Sequence, residues 1–380
     1  MMSDALRARL VDGIRAAGGV TSARVEAALR RVPRHLFLPG AALPDAYADE
    51  PFVTRRDAAG RALSSASQPT IVAMMLEQLA VEPGDRVLEI GAGTGYNAAL
   101  LRELTGPAGT VTTIDIDPDV TAEARSHLAA SGHRARIVTG DGGAGVPSGA
   151  PYDRIIVTAG AWDLPPAWWD QLAPHGRLVV PFRWRGMTRS LALDRAAPDV
   201  LAARSARVCG FIPMRGADGE VVREPAPGVR VVHDADQPAG DLAGVLDAPA
   251  DETWTGLRVP DWDAVLTGGW LRLCASRPDA CRITADATAT KASPAIPPMT
   301  PALADAAGLA YVVARRTGDG TAELGVRGHR APHLVAALTE TLRDPRPAPS
   351  LTILRNAEGA TPPAGAGHIV KHHTILRLAG

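Results

Sequence analysis

Hydrophobic positions recur every four residues at the start of the chain. Leu6, Leu10 and Ile14 share one face of a helix predicted over 4–17. A second amphipathic helix follows Thr21, the expected N-cap, with Val25, Ala28 and Leu29 facing inward; Arg31-Val32-Pro33-Arg34 ends it. Residues 36–66 show no sustained period and read as irregular. An apolar helix is predicted from Thr70 to about Leu79, opened by Ser67-Gln68-Pro69. After Pro83-Gly84-Asp85 the pattern changes. Short apolar runs at 86–90, 111–114, 135–139, 153–158 and 177–180 alternate with helical stretches near 96–104, 118–130 and 165–172. That order predicts a mostly parallel sheet with helices on both faces. Residues 189–194 and 203–209 read as further strands that close it.

Beyond Phe211 turn residues become dense, at 216–219, 225–228 and 294–301. Strands are predicted at 228–233, 310–315 and 322–326, the last two joined by the hairpin turn Thr317-Gly318-Asp319-Gly320. A helix at 331–343 and strands at 350–354 and 368–378 complete a smaller α+β domain. The expected organisation is one α/β domain over 1–215 and a second domain over 220–380, with no internal repeat or heptad.

Composition narrows the function classes. The 380 residues suit two domains. Lys+Arg 40 against Asp+Glu 41 leaves no basic footprint for nucleic acid or an anionic membrane. Aromatics are 4%, so the core must be built from Ala, Val, Leu and Ile. Cys209, Cys274 and Cys281 have neither zinc-ligand spacing nor a disulfide framework. With no apolar signal core at the N-terminus and no run of about 18 apolar residues, the chain reads as cytoplasmic and reduced.

The chemistry is concentrated in Val87-Leu88-Glu89-Ile90-Gly91-Ala92-Gly93-Thr94-Gly95-Tyr96, where a hydrophobic strand runs through three glycines into a helix. Glycine lets the backbone turn sharply and approach a ligand closely. The helix start adds unpaired N–H groups and positive potential. A dinucleotide loop wants its third glycine one position later, where this chain has Tyr96. Glu89, just before the loop, would repel a pyrophosphate but attract the sulfonium and ammonium of S-adenosylmethionine (SAM). Two more acids stand at strand ends. Asp115, followed by Ile116 and Asp117, is placed to accept ribose hydroxyls. Asp141, in Gly140-Asp141-Gly142, is placed to accept from the adenine amino group. Each has a bland reading as well: Asp117 as a helix cap and Asp141 as a turn residue.

Further segments resemble the protein-L-isoaspartate O-methyltransferases. Arg31–Arg34, Phe37-Leu38-Pro39, Ala46–Pro51, Ser67-Gln68-Pro69, Glu89–Gly95, Gly140–Gly142, Pro151-Tyr152-Asp153, Thr158-Ala159-Gly160-Ala161 and 176–181 follow that family's order over about 5–215. The resemblance implies an α/β, Rossmann-like SAM-dependent methyltransferase sheet, with the C-terminal α+β domain added. It implies SAM contacts from Ser65, Ala66, Glu89, Gly91, Ala92, Gly93, Gly95, Asp115, Ile116, Asp141 and Gly142. It implies a substrate site at Ser67, Thr158 and Ala159, with Ser67 holding the substrate carboxylate, and no metal. The bland reading of Ser67 is an N-cap. The chain departs from the family at Ser65-Ala66, where a β-branched pair is usual, at Gly160 and along the polar 56–63.

The implied substrate is a peptide or protein bearing Asp or isoAsp. Its methyl ester is open to attack by the next backbone amide, giving a succinimide and then isoAsp or Asp. Phe211–Gly216 and the extension look like an actinobacterial branch that tailors ribosomally made peptides of lanthipeptide or graspetide type, and the surplus length favours that reading over general repair. A small-molecule methyltransferase and a non-catalytic binding module are the remaining alternatives; oligomeric state is open. In the extension, His329 and His333 lack a third ligand, and His368, His372 and His373 fall in an expected strand. Trp254, Trp262 and Trp270 read as packing residues, or alternatively as a peptide groove.

Overall fold

The computed structural model describes residues 2–216, 219–237, 239–262, 265–286, 289, 296–297, 299–356 and 367–379. Parts of the expected turns at 216–219 and 294–301 lie outside the described residues. The chain forms two compact units, one from Met1–Phe182 with Arg189–Met214, the other from Arg183–Thr188 with Arg215–Gly380.

In the first unit, α1 (Met2–Ala16) packs on α2 (Ala23–Arg31). Ser22 is the N-cap of α2: its extended backbone lets its hydroxyl accept from the Val25 N–H at 3.3 Å. Thr21, expected there, instead donates through its N–H and hydroxyl to Glu77 at 3.0 and 3.1 Å. Residues 36–66 are more ordered than their pattern suggests. They hold a short turn of 3₁₀ helix that starts at Arg34, α3 (Leu43–Ala46), and an antiparallel hairpin of β1 (Phe52–Arg56) and β2 (Ala62–Ala66). Their Thr, Arg and Ser positions mask the alternation that identifies a half-buried strand.

Helix α4 (Pro69–Leu79) leads into the main sheet. Its strands are β3 (Arg86–Ile90), β4 (Thr110–Asp115), β5 (Arg136–Thr139), β6 (Tyr152–Val157), β7 (Leu172–Trp184), β8 (Met187–Ala197) and β9 (Val200–Val208). Helices α5 (Tyr96–Thr105), α6 (Pro118–Ala130) and α7 (Pro166–Gln171) connect the parallel strands. The spatial order is β5-β4-β3-β6-β7-β8-β9; β5 through β7 run parallel, and β8 and β9 pair antiparallel. Val87, Val111, Ile156 and Val179 join Leu100, Leu101 and Leu104 of α5 in one buried cluster. Strands covered on both faces lose polar alternation, which is why these apolar runs were legible. Chain order reverses between β3 and β6. Open α/β sheets bind ligands at such a switch point, beyond the strand carboxyl ends.

The second unit is mostly antiparallel. Its strands are β10 (Glu220–Ala226), β11 (Val229–Asp234), β12 (Ala250–Val259), β13 (Ala280–Ala285), β14 (Thr300–Ala304), β15 (Leu309–Arg316) and β16 (Ala322–His329), then β17 (Ser350–Arg355), β18 (His368–Val370) and β19 (Thr374–Ala379). Seven form a sheet in the order β10-β11-β13-β14-β15-β16-β12, and β19 lies between β18 and β17. Helices α8 (Trp270–Ser276) and α9 (Pro332–Arg343) accompany them. Strands β10, β12, β13 and β14 and helix α8 had no clear signal. Trp270 is fully buried, and Trp254 packs against the core under Arg315, 4.1 Å from guanidinium to ring. His329 meets the Ala248 carbonyl at 2.9 Å and His333 meets Asp305 at 2.6 Å, so the two serve different partners. His372 and His373 sit in the turn between β18 and β19, not within a strand. Among the described residues no helix is long and apolar enough to cross a membrane.

Candidate functional site

The glycine loop emerges from β3 at the switch point. Gly91 (φ +100°) donates its N–H to the Ile114 carbonyl at 2.8 Å. A Cβ at Gly91 would lie 2.4 Å from Thr158 Oγ1. Gly93 (φ +49°) donates to Asp115 Oδ2 at 3.2 Å, and Gly95 (φ +85°) closes a turn onto the Ala92 carbonyl at 2.9 Å. A Cβ at Gly93 would meet nothing nearer than the Ser65 carbonyl at 4.0 Å. The loop therefore keeps an open, side-chain-free face toward β2. From α6, His127 Nδ1 donates to the Thr94 carbonyl at 3.0 Å.

The other expected cofactor residues distribute around this loop. Asp115 accepts from Gly93 and from the Asp117 N–H, 3.2 Å each, which pins the end of β4 to the loop. Ile116 is 47% exposed, a large apolar side chain left open beside that carboxylate. Asp117 caps α6. Asp141 is exposed and accepts from the Gly143 N–H at 2.8 Å. Gly142 is packed so closely that a Cβ would lie 2.6 Å from Ile90, and its carbonyl accepts from Trp168 Nε1 at 2.8 Å.

Glu89 does not open onto the surface. It is fully buried; Oε1 accepts from Asn97 Nδ2 at 2.8 Å, and Oε2 has no hydrogen-bond partner. Burial pushes its carboxyl up from the usual 4.5 to about 7. The folded chain thus binds a proton here that the unfolded chain releases between those values, so stability falls as pH rises through that window. Glu89→Gln is expected to remove the fall and stabilise the unliganded protein by about 3 kcal/mol above pH 7. Thermal midpoints of both proteins at pH 5 and pH 8 test this, and parallel pH curves would refute it. A buried carboxylate with an open oxygen, beside a loop with room along its backbone, fits a cationic cofactor such as SAM.

The substrate residues separate. Helix α4 starts at Pro69 with Gln68 as its N-cap and no side-chain cap bond, so Ser67 is not the cap. The α4 start is held instead by Asp49, which accepts from the Thr70 N–H and hydroxyl at 2.8 and 2.7 Å and from Gln68 Nε2 at 3.2 Å. Half-buried Ser67 is held by its carbonyl, which accepts from Arg34 at 2.9 Å. The Thr158 hydroxyl lies 2.7 Å from the Gly91 carbonyl and 3.1 Å from that of Ile90, so its single proton serves the loop. Ala159 precedes Gly160, which exchanges backbone hydrogen bonds with Ile212 and Met214 at 2.8 and 2.9 Å. Met214 Cε would lie 3.5 Å from a Cβ on Gly142, so the end of the first unit returns to the site. Arg34, Asp49, Asn97, His127 and Met214 were not singled out in advance. Arg34 and Asp49 lay inside recognised segments, but no spacing rule links them to Ser67.

Comparison with known proteins points to one family. A family model described as protein-L-isoaspartate(D-aspartate) O-methyltransferase matches residues 5–219. The protein-L-isoaspartate O-methyltransferase of Methanopyrus kandleri is 39% identical over 215 residues, covering 56% of this chain and 92% of that protein. The protein of the same name from Methanoregula boonei is 44% identical over 216 residues, covering 56% and 94%. A solved structure named protein-L-isoaspartate O-methyltransferase aligns over 92% of this chain and 97% of its own, with TM-score 0.52 and 23% identity, a likeness of fold. Matched over more than half its length, and nearly spanning two relatives, the chain belongs to the protein-L-isoaspartate(D-aspartate) O-methyltransferase family.

Proposed function

We propose that the chain methyl-esterifies the free carboxylate of an isoaspartyl residue in a peptide or protein, with SAM as methyl donor. The carrying observation is Ser67: it is tethered through its own carbonyl and its neighbours, not spent as a helix cap, and follows the strand whose Ser65 carbonyl faces Gly93. A carboxylate with an ordinary value near 4 is already ionised at neutral pH, so no general base is required. Bound SAM supplies an electrophilic methyl on a sulfonium. The chain's task is alignment, worth large factors when reacting atoms are held in line. The Ser67 hydroxyl donates to one carboxylate oxygen and leaves the other as nucleophile. Gly91–Gly95, Asp115, Ile116, Gly142 and the buried Glu89 would hold the cofactor.

Mass spectrometry tests the reading with a peptide carrying isoAsp and its normal Asp twin. The isoaspartyl peptide is expected to gain one methylene, then lose methanol to give the succinimide, while the twin stays unchanged. An unmodified isoaspartyl peptide overturns the reading.

A second reading, tailoring of a constrained ribosomally made peptide at a normal Asp, is favoured by one observation. The family match stops at residue 219, leaving most of the second unit outside it. Against it, the relatives matched over the first unit carry the plain isoaspartyl methyltransferase name, and a solved structure of that name aligns in fold over 92% of this chain. General isoaspartyl methylation is therefore the first reading. Modification of a constrained Asp peptide alone would reverse that order.

A further inference from the structure

Arg34 is the most unusual charge in the first unit. Its side chain is 1% exposed. Nη2 donates to the Ser67 carbonyl at 2.9 Å and lies 3.5 Å from the Ala66 carbonyl, while Nε and Nη1 have no partner. The guanidinium sits 5.0 Å from the centroid of the Tyr96 ring, at the first residue of α5 after the glycine loop. Leaving N–H groups of a buried cation unpaired is costly. A mere tether to two carbonyls would be met more cheaply by a neutral donor.

The surroundings suggest what the charge does. Asp49 is occupied with Gln68 and Thr70, which follow Ser67 in the chain. Arg34 therefore holds the main chain of Ser67 directly, while Asp49 holds the residues that follow it, and the positive member is the one bound to Ser67 itself. Tyr96 ties the same guanidinium to the start of the cofactor-loop helix. Building on the methylation reading above, we propose that Arg34 is a positioning residue for the substrate carboxylate: it fixes Ser67 relative to the glycine loop and places a buried positive charge behind the serine that attracts and orients the anion. It acts through Ser67 and does not touch the reacting atoms.

Steady-state kinetics of the full chain with an isoaspartyl peptide test this in a double-mutant cycle of Arg34→Met and Ser67→Ala. Arg34→Met is expected to lower kcat/KM about 100-fold, with part of the loss in KM, while affinity for S-adenosylhomocysteine changes less than about threefold. Adding Ser67→Ala to it should cost little more, because both changes disable one device. Arg34→Lys keeps the charge and should recover part of the KM loss. Wild-type kinetics in folded Arg34→Met, or losses that multiply independently of Ser67→Ala, overturn the proposal. If Arg34→Met does not fold, the same cycle is run with Arg34→Gln, a neutral donor, where a loss below about tenfold or full independence from Ser67 is the overturning result. A wild-type chain inactive on the peptide overturns the methylation reading itself and is told apart by that control.

Discussion

Gly91→Ala is expected to weaken S-adenosylhomocysteine binding by more than about 100-fold, measured by calorimetry. The reason is geometric. Gly91 holds φ +100°, outside the range an alanine adopts without strain, and the added carbon would lie 2.4 Å from Thr158 Oγ1. Relief requires either rotating the peptide away from the Ile114 carbonyl or expelling the Thr158 hydroxyl from the Gly91 carbonyl. Each movement displaces the turn on which the cofactor's binding groups depend. Gly93→Ala is the control for a milder change: its φ of +49° lies in the left-handed region, at a cost of about 1–2 kcal/mol, and its added carbon meets only the Ser65 carbonyl at 4.0 Å. The thermal midpoint should therefore drop further in Gly91→Ala than in Gly93→Ala. Undiminished affinity in Gly91→Ala would remove this loop from the cofactor site.

Ser67→Ala is expected to lower kcat on an isoaspartyl peptide about 100-fold while leaving S-adenosylhomocysteine affinity nearly unchanged. It also separates the two readings of this serine. Loss of an N-cap would cost about 1 kcal/mol of stability. Since Gln68 occupies the cap position and Asp49 satisfies the Thr70 N–H, the thermal midpoint should not move. A shifted midpoint with normal turnover would return Ser67 to a structural role. Wild-type turnover and wild-type stability together would leave the hydroxyl without a role in carboxylate binding.

The parts of the fold that were legible share one property: each buries a continuous apolar face. Strands β3, β4 and β6 are buried along most of their length, and their Val, Ile, Leu and Thr positions stand out against Pro- and Gly-bearing connections. The hairpin β1–β2 and strands β10 and β12 carry mainly polar or exposed positions, so their pairing depends on partners distant in sequence. The same contrast runs through the site. Glycines and acids at strand ends are local signals. The bond from the Thr158 hydroxyl to the glycine loop has no such signal, because it exists only through the pairing of β6 with β3.

By itself the sequence determined the alternating βαβ order, the glycine loop with its acids, and the family, whose resemblance was read over about 5–215 and whose model matches 5–219. These follow from local periodicity and from residues whose backbone freedom or charge has few other uses. Only the tertiary structure decided that Asp49 holds the start of α4 in place of Ser67, that Glu89 is buried with one open oxygen, and that Arg34 lies unexposed against the Ser67 carbonyl. Those facts turn on burial and on contacts between residues 21 to 33 positions apart, such as Asp49 with Thr70 and Arg34 with Ser67. Desolvation and long-range hydrogen bonding arise only when the chain closes on itself, so no pattern along the chain encodes them.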